Sequence, residues 1–169
     1  MIVEKATNEM LNQIKEIYLI AQKHMIDEGN VTQWNKDAED FINQIKEYIS
    51  KEEFYVVIKQ NEIIGFFAMI YGKDKTYKNI IDGSWLNEDD YITIHKIAVK
   101  YYRQGIASFI FDYIETNCVK NNIFNIRIDT HKNNISMQKL LLKHNFIRCG
   151  IISITNNFKE TTSLREAYI

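Results

Sequence analysis

The chain of 169 residues contains no proline, so its turns fall to Gly, Asn and Asp, the other residues suited to them. That absence carries no functional reading. Cysteine is nearly absent too. Cys118 and Cys149 suit a reducing compartment, and both read as small core hydrophobes. No Cys/His spacing resembles a zinc site, and His24, His95, His131 and His144 are scattered, so no metal is expected. No apolar run is long enough to cross a bilayer. The start, Met1-Ile2-Val3-Glu4-Lys5, lacks a basic segment followed by an apolar core, so no secretory leader is expected. The basic residues are not interleaved with aromatics in a stacking pattern, which argues against nucleic acid as a partner. The expectation is a cytoplasmic protein without membrane or nucleic-acid partners.

What is present is ordinary for a globular chain: 46% apolar and 25% charged residues, and a length that fits one domain over 1–169. The net charge of −1 hides an asymmetry. Residues 1–95 carry 10 Lys, no Arg and 17 Asp/Glu, a balance of −7, whereas residues 96–148 reach +6 and the remainder is neutral. A basic half beside an acidic half suits an anionic cofactor and a cationic acceptor; chance segregation among solvated faces is the plain alternative.

Periodicity predicts a short strand over Ile2–Ala6 and a helix over Asn8–Asp27, with Met10, Leu11, Ile14, Ile17, Tyr18 and Ala21 inward. Gly29-Asn30 stops it. A second helix is predicted over Asp37–Ser50, with Phe41, Ile42, Ile45 and Ile49 inward. Phe54–Ile58 and Ile63–Ile70 read as strands joined by a hairpin turn. Gly72–Asp90 reads as a long polar loop. A strand over Tyr91–Val99, a helix over Gly105–Asn121 and a strand over Phe124–Thr130 follow. The next helix, Asn134–His144, has Ile135, Met137, Leu140 and Leu141 inward and ends at a left-handed Asn145. Ile147–Thr155 and Leu164–Ile169 read as strands. The order β-α-α-β-β-β-α-β-α-β-β implies an α/β fold with a mixed sheet.

The most informative stretch is Ile94 to Ser108, a strand, a short polar turn with one glycine, and then a helix. The helix repeats apolar residues at Ile106, Phe109, Ile110, Tyr113, Ile114 and Cys118, one buried face. A helix start facing such a turn offers backbone N–H groups and the positive end of the helix dipole, an anion pocket suited to a pyrophosphate. Ser108 could reach a phosphate oxygen or bond back to its own helix.

With that order and that motif, the chain resembles the GNAT N-acetyltransferases. Gly105-Ile106-Ala107-Ser108 matches the end of their Q/R-x-x-G-x-G/A signature; Asn134, Asn145-Phe146 and Arg165-Glu166-Ala167-Tyr168 add to the likeness. Tyr102 stands where Gln or Arg is usual, with Arg103 next to it, and the turn is about two residues short of the family's. The resemblance implies one acyl-CoA N-acyltransferase domain that binds acetyl-CoA through Arg103, Gln104, Gly105, Ile106, Ala107 and Ser108, with Asn134 also facing the cofactor. Ile97-Ala98-Val99 would meet the pantetheine by motif likeness, or His95-Lys96-Ile97 by counting back from the glycine; the former is preferred. Dimers are common among such enzymes, so a homodimer is one implied assembly.

Direct transfer of the acetyl group to an amine requires a general base. His95 is the first candidate, since an imidazole of ordinary pKa, about 6.5, accepts a proton at cellular pH; strand alternation puts it on one face with Thr93 and Ile97. A histidine bonded within the sheet is the alternative. Asp129 is the second, at a position where the resemblance implies a carboxylate base; an ion pair with Arg127 or a nearby Lys is its alternative. The Tyr acid that such relatives use corresponds to Leu141, so Tyr168 or solvent would have to serve. Asn134 reads mainly as a helix cap. Trp34, between the first two helices, reads as a wall of the acceptor site or as a core aromatic. The expected function is N-acetylation of a primary amine on a small molecule or a peptide amino terminus. A protein lysine or N-terminal acetyltransferase and a catalytically silent CoA-binding sensor module are the alternatives.

Overall fold

The computed structural model describes residues 1–31, 33–34, 36–156 and 161–169, and the side chains of all these except 154–156, 161–164 and 166. Among the described residues eight strands form one mixed sheet in the order β1-β2-β3-β5-β6-β8-β7-β4. The strands are β1 (Ile2–Lys5), β2 (Phe54–Lys59), β3 (Glu62–Tyr71), β4 (Ile80–Ile81), β5 (Ile92–Val99), β6 (Ile126–Thr130), β7 (Arg148–Asn156) and β8 (Thr161–Tyr168). The helices are α1 (Leu11–Asp27), α2 (Ala38–Ser50), α3 (Ile106–Lys120) and α4 (Ile135–Lys143). The chain divides into two compact units, Met1–Ile70 with His95–Ile114, and Tyr71–Ile94 with Glu115–Ile169.

In the first unit β2 and β3 are buried on both faces, which is why they read as continuous apolar runs rather than alternating ones. Phe54, Val56, Phe66 and Ala68 join Ile14, Ile17, Tyr18, Ala21, Phe41, Ile42 and Ile45 of α1 and α2 in one core. Tyr55 and Phe67, pointing the other way, meet Tyr113 of α3 at ring-centroid distances of 6.3 and 6.0 Å. Helix ends follow the sequence signals. Gly29 is left-handed (φ 82°), and the amides of Gly29 and Asn30 bond to the carbonyls of Ile26 and Met25, the paired bonds that close a helix at a left-handed glycine. Asp37 caps α2 through a bond from the Glu39 amide.

In the second unit Tyr77, Tyr91, Ile152 and Ala167 form a smaller core with Ile80 and Trp85 packed on it. Here the expected loop over Gly72–Asp90 is corrected. It contains a 3₁₀ turn at Lys75–Tyr77 and the strand β4, which pairs with Ile151 and Ile152 of β7. Its aromatic residues have a sheet face to cover, and that burial outweighs a polar composition. Two helix-face readings also shift: Ile135 is 51% exposed, and Phe111 is fully buried. Turn chemistry departs from expectation as well. Glu52, Gln60, Lys96 and Arg103 take left-handed backbone alongside Asn61, Asp82, Asn122 and Asn145. Gln60-Asn61, both left-handed, form a two-residue hairpin turn that matches the strand twist.

Phe66 is fully buried and packs against Trp34, Phe41 and Phe54. Phe66→Ala is expected to cost about 3–5 kcal/mol, read as a lowered urea midpoint.

Candidate functional site

The turn leaving β5 is fixed by charge and stacking. Lys100 Nζ lies 2.8 Å from a carboxylate oxygen of Glu16 on α1 and 3.0 Å from one of Glu62 on β3. Tyr101 donates its hydroxyl to the same Glu62 at 2.8 Å, and the Lys100 amide bonds to the Ile64 carbonyl at 2.8 Å. The bonds from Lys100 and Tyr101 hold the Glu62 carboxyl below its usual range, and the bonds to Glu16 and then Glu62 raise the Lys100 ammonium above its own. Tyr102 stacks on His24 of α1 with centroids 3.6 Å apart, and burial, with Glu28 adding, pushes its phenol up to about 12. The residue that departs from the expected signature therefore anchors the turn to α1.

Beyond that anchor the backbone turns left-handed at Arg103 (φ 60°) and Gly105 (φ 75°). The first bond of α3 runs from the Phe109 amide to the Gly105 carbonyl, so the amides of Ile106 and Ala107 precede the helical ladder. No acidic residue lies in the first turn of α3, and a Cβ built at Gly105 meets nothing within 4 Å. An anion such as a diphosphate fits these residues: amides, dipole and open space, with no acidic residue in the first turn of the helix. Arg103, Gln104 and Gly105 are exposed, and Ala107 and Ser108 are half-buried. Ile106 is 3% exposed, so it could offer only its backbone. Gly65 of β3 sets the depth of this junction. A Cβ there would stand 3.0 Å from the Ala98 carbonyl and 3.4 Å from Ile106 Cγ2.

Within β5, Lys96 is left-handed (φ 57°), the mark of a bulge. Period-two alternation cannot be carried across it, so the expectation that Ile97 shares a face with Thr93 and His95 does not hold past His95. Thr93 is fully buried, His95 and Ile97 are half-buried, and Ala98 and Val99 are both buried. Lys96 reaches Gln44 of α2 at 3.3 Å and lies over the Phe41 ring. Trp34, half-buried, packs against the core of this unit and stacks with Tyr18 at 5.3 Å. Its carbonyl accepts from Gln22 at 2.6 Å.

The second unit holds Asp129, Asn134 and Tyr168. Asp129 accepts a hydrogen bond from the Tyr77 hydroxyl at 2.7 Å. Burial pushes the Tyr77 phenol well above its ordinary value, and the Asp129 charge adds to that. Arg127, one of the alternative partners considered for Asp129, is held by aromatic faces: its guanidinium sits 4.2 Å from the Trp85 centroid and 4.0 Å from that of Tyr91, and donates to the Asn87 carbonyl at 2.6 Å. The register pairs Asp129 with Ala167 and Ile128 with Tyr168. Asp129 therefore shares a face with Ala167 and Arg165, whereas Tyr168 points to the opposite face with Ile128. Asp129 and Tyr168 cannot act from one side. Burial draws the Arg165 guanidinium below its usual range, with Asp129 opposing; burial, Arg165 and Lys132 lower His131. Asn134 caps α4 through the Met137 amide at 3.1 Å, and Leu141 is fully buried. Both cysteines are free and buried, and burial pushes Cys118 up to about 11.

Tyr77, Glu62, Lys100 and Gly65 escaped the sequence reading. The glycine inside an apolar strand was a usable signal of close backbone approach. The density of aromatics over Tyr71–Tyr91 was a signal that the stretch covers something. Nothing local marks Glu62 as a partner of Lys100. Among the described residues no group of three or more His, Cys, Asp or Glu could hold a metal, and no helix is long and apolar enough to cross a membrane.

No protein-family model and no curated protein sequence matches the chain. Solved structures do. A GNAT-family acetyltransferase from Streptococcus agalactiae superposes with a TM-score of 0.83 at 24% identity, over 99% of this chain and 92% of that one. An N-acetyltransferase from Staphylococcus aureus Mu50 gives 0.64 at 18%, over 99% and 95%. A ribosomal-protein-alanine N-acetyltransferase from Brucella melitensis gives 0.63 at 13%, over 99% and 98%.

Because the folded Glu62 carboxyl is held below its ordinary value, its stabilisation is present above the ordinary carboxylate range and is lost as pH falls through the folded value. The melting temperature of the parent protein is expected to drop more steeply than that of Glu62→Gln between about pH 6 and about pH 3. Parallel melting curves at all pH values would show that the turn does not depend on this carboxylate.

Proposed function

We propose that this chain, which has the fold of the GNAT acetyltransferases, is an acetyl-CoA-dependent N-acetyltransferase acting on a primary amine of a small molecule or a peptide amino terminus. The observation that carries the reading is the junction at Gly105. Left-handed backbone, open space at the Cβ position, the leading amides of α3 and a first turn without carboxylates favour a diphosphate over any neutral group.

Acetyl-CoA brings an activated acyl thioester; the chain has to bind it, orient it and manage protons. Two substrates held in reacting geometry account for up to about 7–11 kcal/mol of barrier lowering. The acceptor arrives as an ammonium and gives a proton to a base. Its nitrogen then forms the N–C bond as the C–S bond breaks, the nitrogen gives its surplus proton to solvent, and the coenzyme A thiolate takes up a proton. Backbone N–H groups following the bulge in β5 are suited to steadying the oxyanion. Asp129 is proposed as the base, because a buried phenol holds its carboxylate in place; His95, half-buried beside the left-handed Lys96, is the second candidate. Tyr168 faces away from Asp129, which favours solvent as the proton source for the thiolate. Trp34 and the aromatic cluster on α1 and α2 are proposed as a wall of the acceptor site. The buried Leu141, where relatives have a Tyr acid, supports a second reading, a silent module that binds coenzyme A without turnover.

Thiol release from acetyl-CoA, measured with a diamine, an amino-acid amide and a peptide with a free alanine terminus, separates the two readings. Turnover with any of them removes the silent module. Gly105→Asp is expected to weaken coenzyme A binding more than about tenfold in a calorimetric titration. Gly105→Asn, which also tolerates left-handed backbone, should be less damaging. Unchanged binding in the aspartate variant would show that the phosphates sit elsewhere.

A further inference from the structure

The aromatic segment before β5 covers one face of the sheet in the second unit, and its contacts converge on one carboxylate. Trp85 donates its indole N–H to the Tyr77 carbonyl at 2.9 Å and packs tilted against the Tyr77 ring with centroids 5.6 Å apart. Tyr91 stacks on Tyr77 from another side, at 6.5 Å, and its hydroxyl accepts from the Asp74 amide. Asp74 in turn caps the 3₁₀ turn that carries Tyr77, accepting from the Thr76 amide at 2.8 Å. Arg127 lies against both Trp85 and Tyr91. Tyr77 is 1% exposed and cannot swing away without emptying this cluster. Its one polar atom reaches across to Asp129 of β6 at 2.7 Å.

We infer that Tyr77 is a positioning residue for Asp129: its hydroxyl, locked by the Trp85–Tyr91 aromatic cluster, fixes the orientation from which the carboxylate takes the acceptor's proton. The inference rests on the proposed role of Asp129 as base. A carboxylate on a strand swivels about two torsions, and a hydrogen bond to one oxygen from a donor that cannot move removes that freedom. The other titratable and charged groups around Asp129 are Arg127 on its own strand, His131 just past that strand's end, Arg165 on β8, and Tyr91 and Asp74 on the covering segment. Tyr77 itself transfers no proton. Its hydroxyl is committed to Asp129, and burial makes it a weak acid.

The test uses the intact chain and thiol release from acetyl-CoA, with the alanine-terminated peptide and the diamine as acceptors. Tyr77→Phe removes one oxygen and keeps the ring packing, so it is expected to fold. It should lower kcat about tenfold, with KM for acetyl-CoA unchanged. Asp129→Asn should lower kcat at least as far, and Tyr77→Phe in that background should cost nothing more. An unchanged kcat in Tyr77→Phe, with Asp129→Asn impaired, overturns the positioning role and spares the base. An unchanged kcat in Asp129→Asn, or no turnover with either acceptor, overturns both.

Discussion

The junction between β5 and α3 is the constraint on which the candidate site depends. A strand can present helix amides to an anion only if the turn between them is short and immobile. Here a single cation does most of that work. Lys100 joins Glu16 of α1 to Glu62 of β3, and Tyr101 and Tyr102 add a hydrogen bond and a ring stack on either side. The side chains hold the loop from below, so its backbone can turn left-handed at two residues and expose amides. Gly65 supplies the remaining condition by letting the backbones of β3 and β5 approach closely enough for Ile106 to seat in the core.

The second unit solves a different problem with the same materials. Its sheet face carries Arg127, Asp129 and Arg165, charged groups that are costly to cover. The covering segment meets two of these charges with matched partners: aromatic faces for the Arg127 guanidinium, where cation–π attraction replaces water, and a phenol for the Asp129 carboxylate. An ion pair between Arg127 and Asp129 would have been the simpler arrangement. Stacking draws Arg127 to the aromatic segment, and Asp129 is bonded by Tyr77 from that segment instead.

Most of the elements were legible in the sequence because their signals are local. The buried stripe of α1 at Ile14, Ile17, Tyr18 and Ala21 follows from helical spacing alone. The stops at Gly29 and Asn145 and the cap at Asn134 follow from the few residues able to fill those conformations. The alternation argument could not be carried from His95 to Ile97 because a bulge leaves no mark in composition: Lys96 is not a residue that advertises left-handed backbone. Ile135 was read inward on spacing, yet a stripe wide enough for a long helix overruns the nine residues of α4, and its first position stays in water.

By itself, then, the chain's sequence determined the run of helices and strands, the mixed sheet and the glycine at the strand-to-helix turn, all of which depend on neighbours within a few residues. Only the tertiary structure decided that Lys100 clamps the turn and that Tyr77 grips Asp129 across 52 positions. It alone put Tyr168 and Asp129 on opposite faces. The physical reason is that side-chain pairing and strand register are properties of segments meeting in space, and a one-residue change of register reverses every face without altering a single local preference.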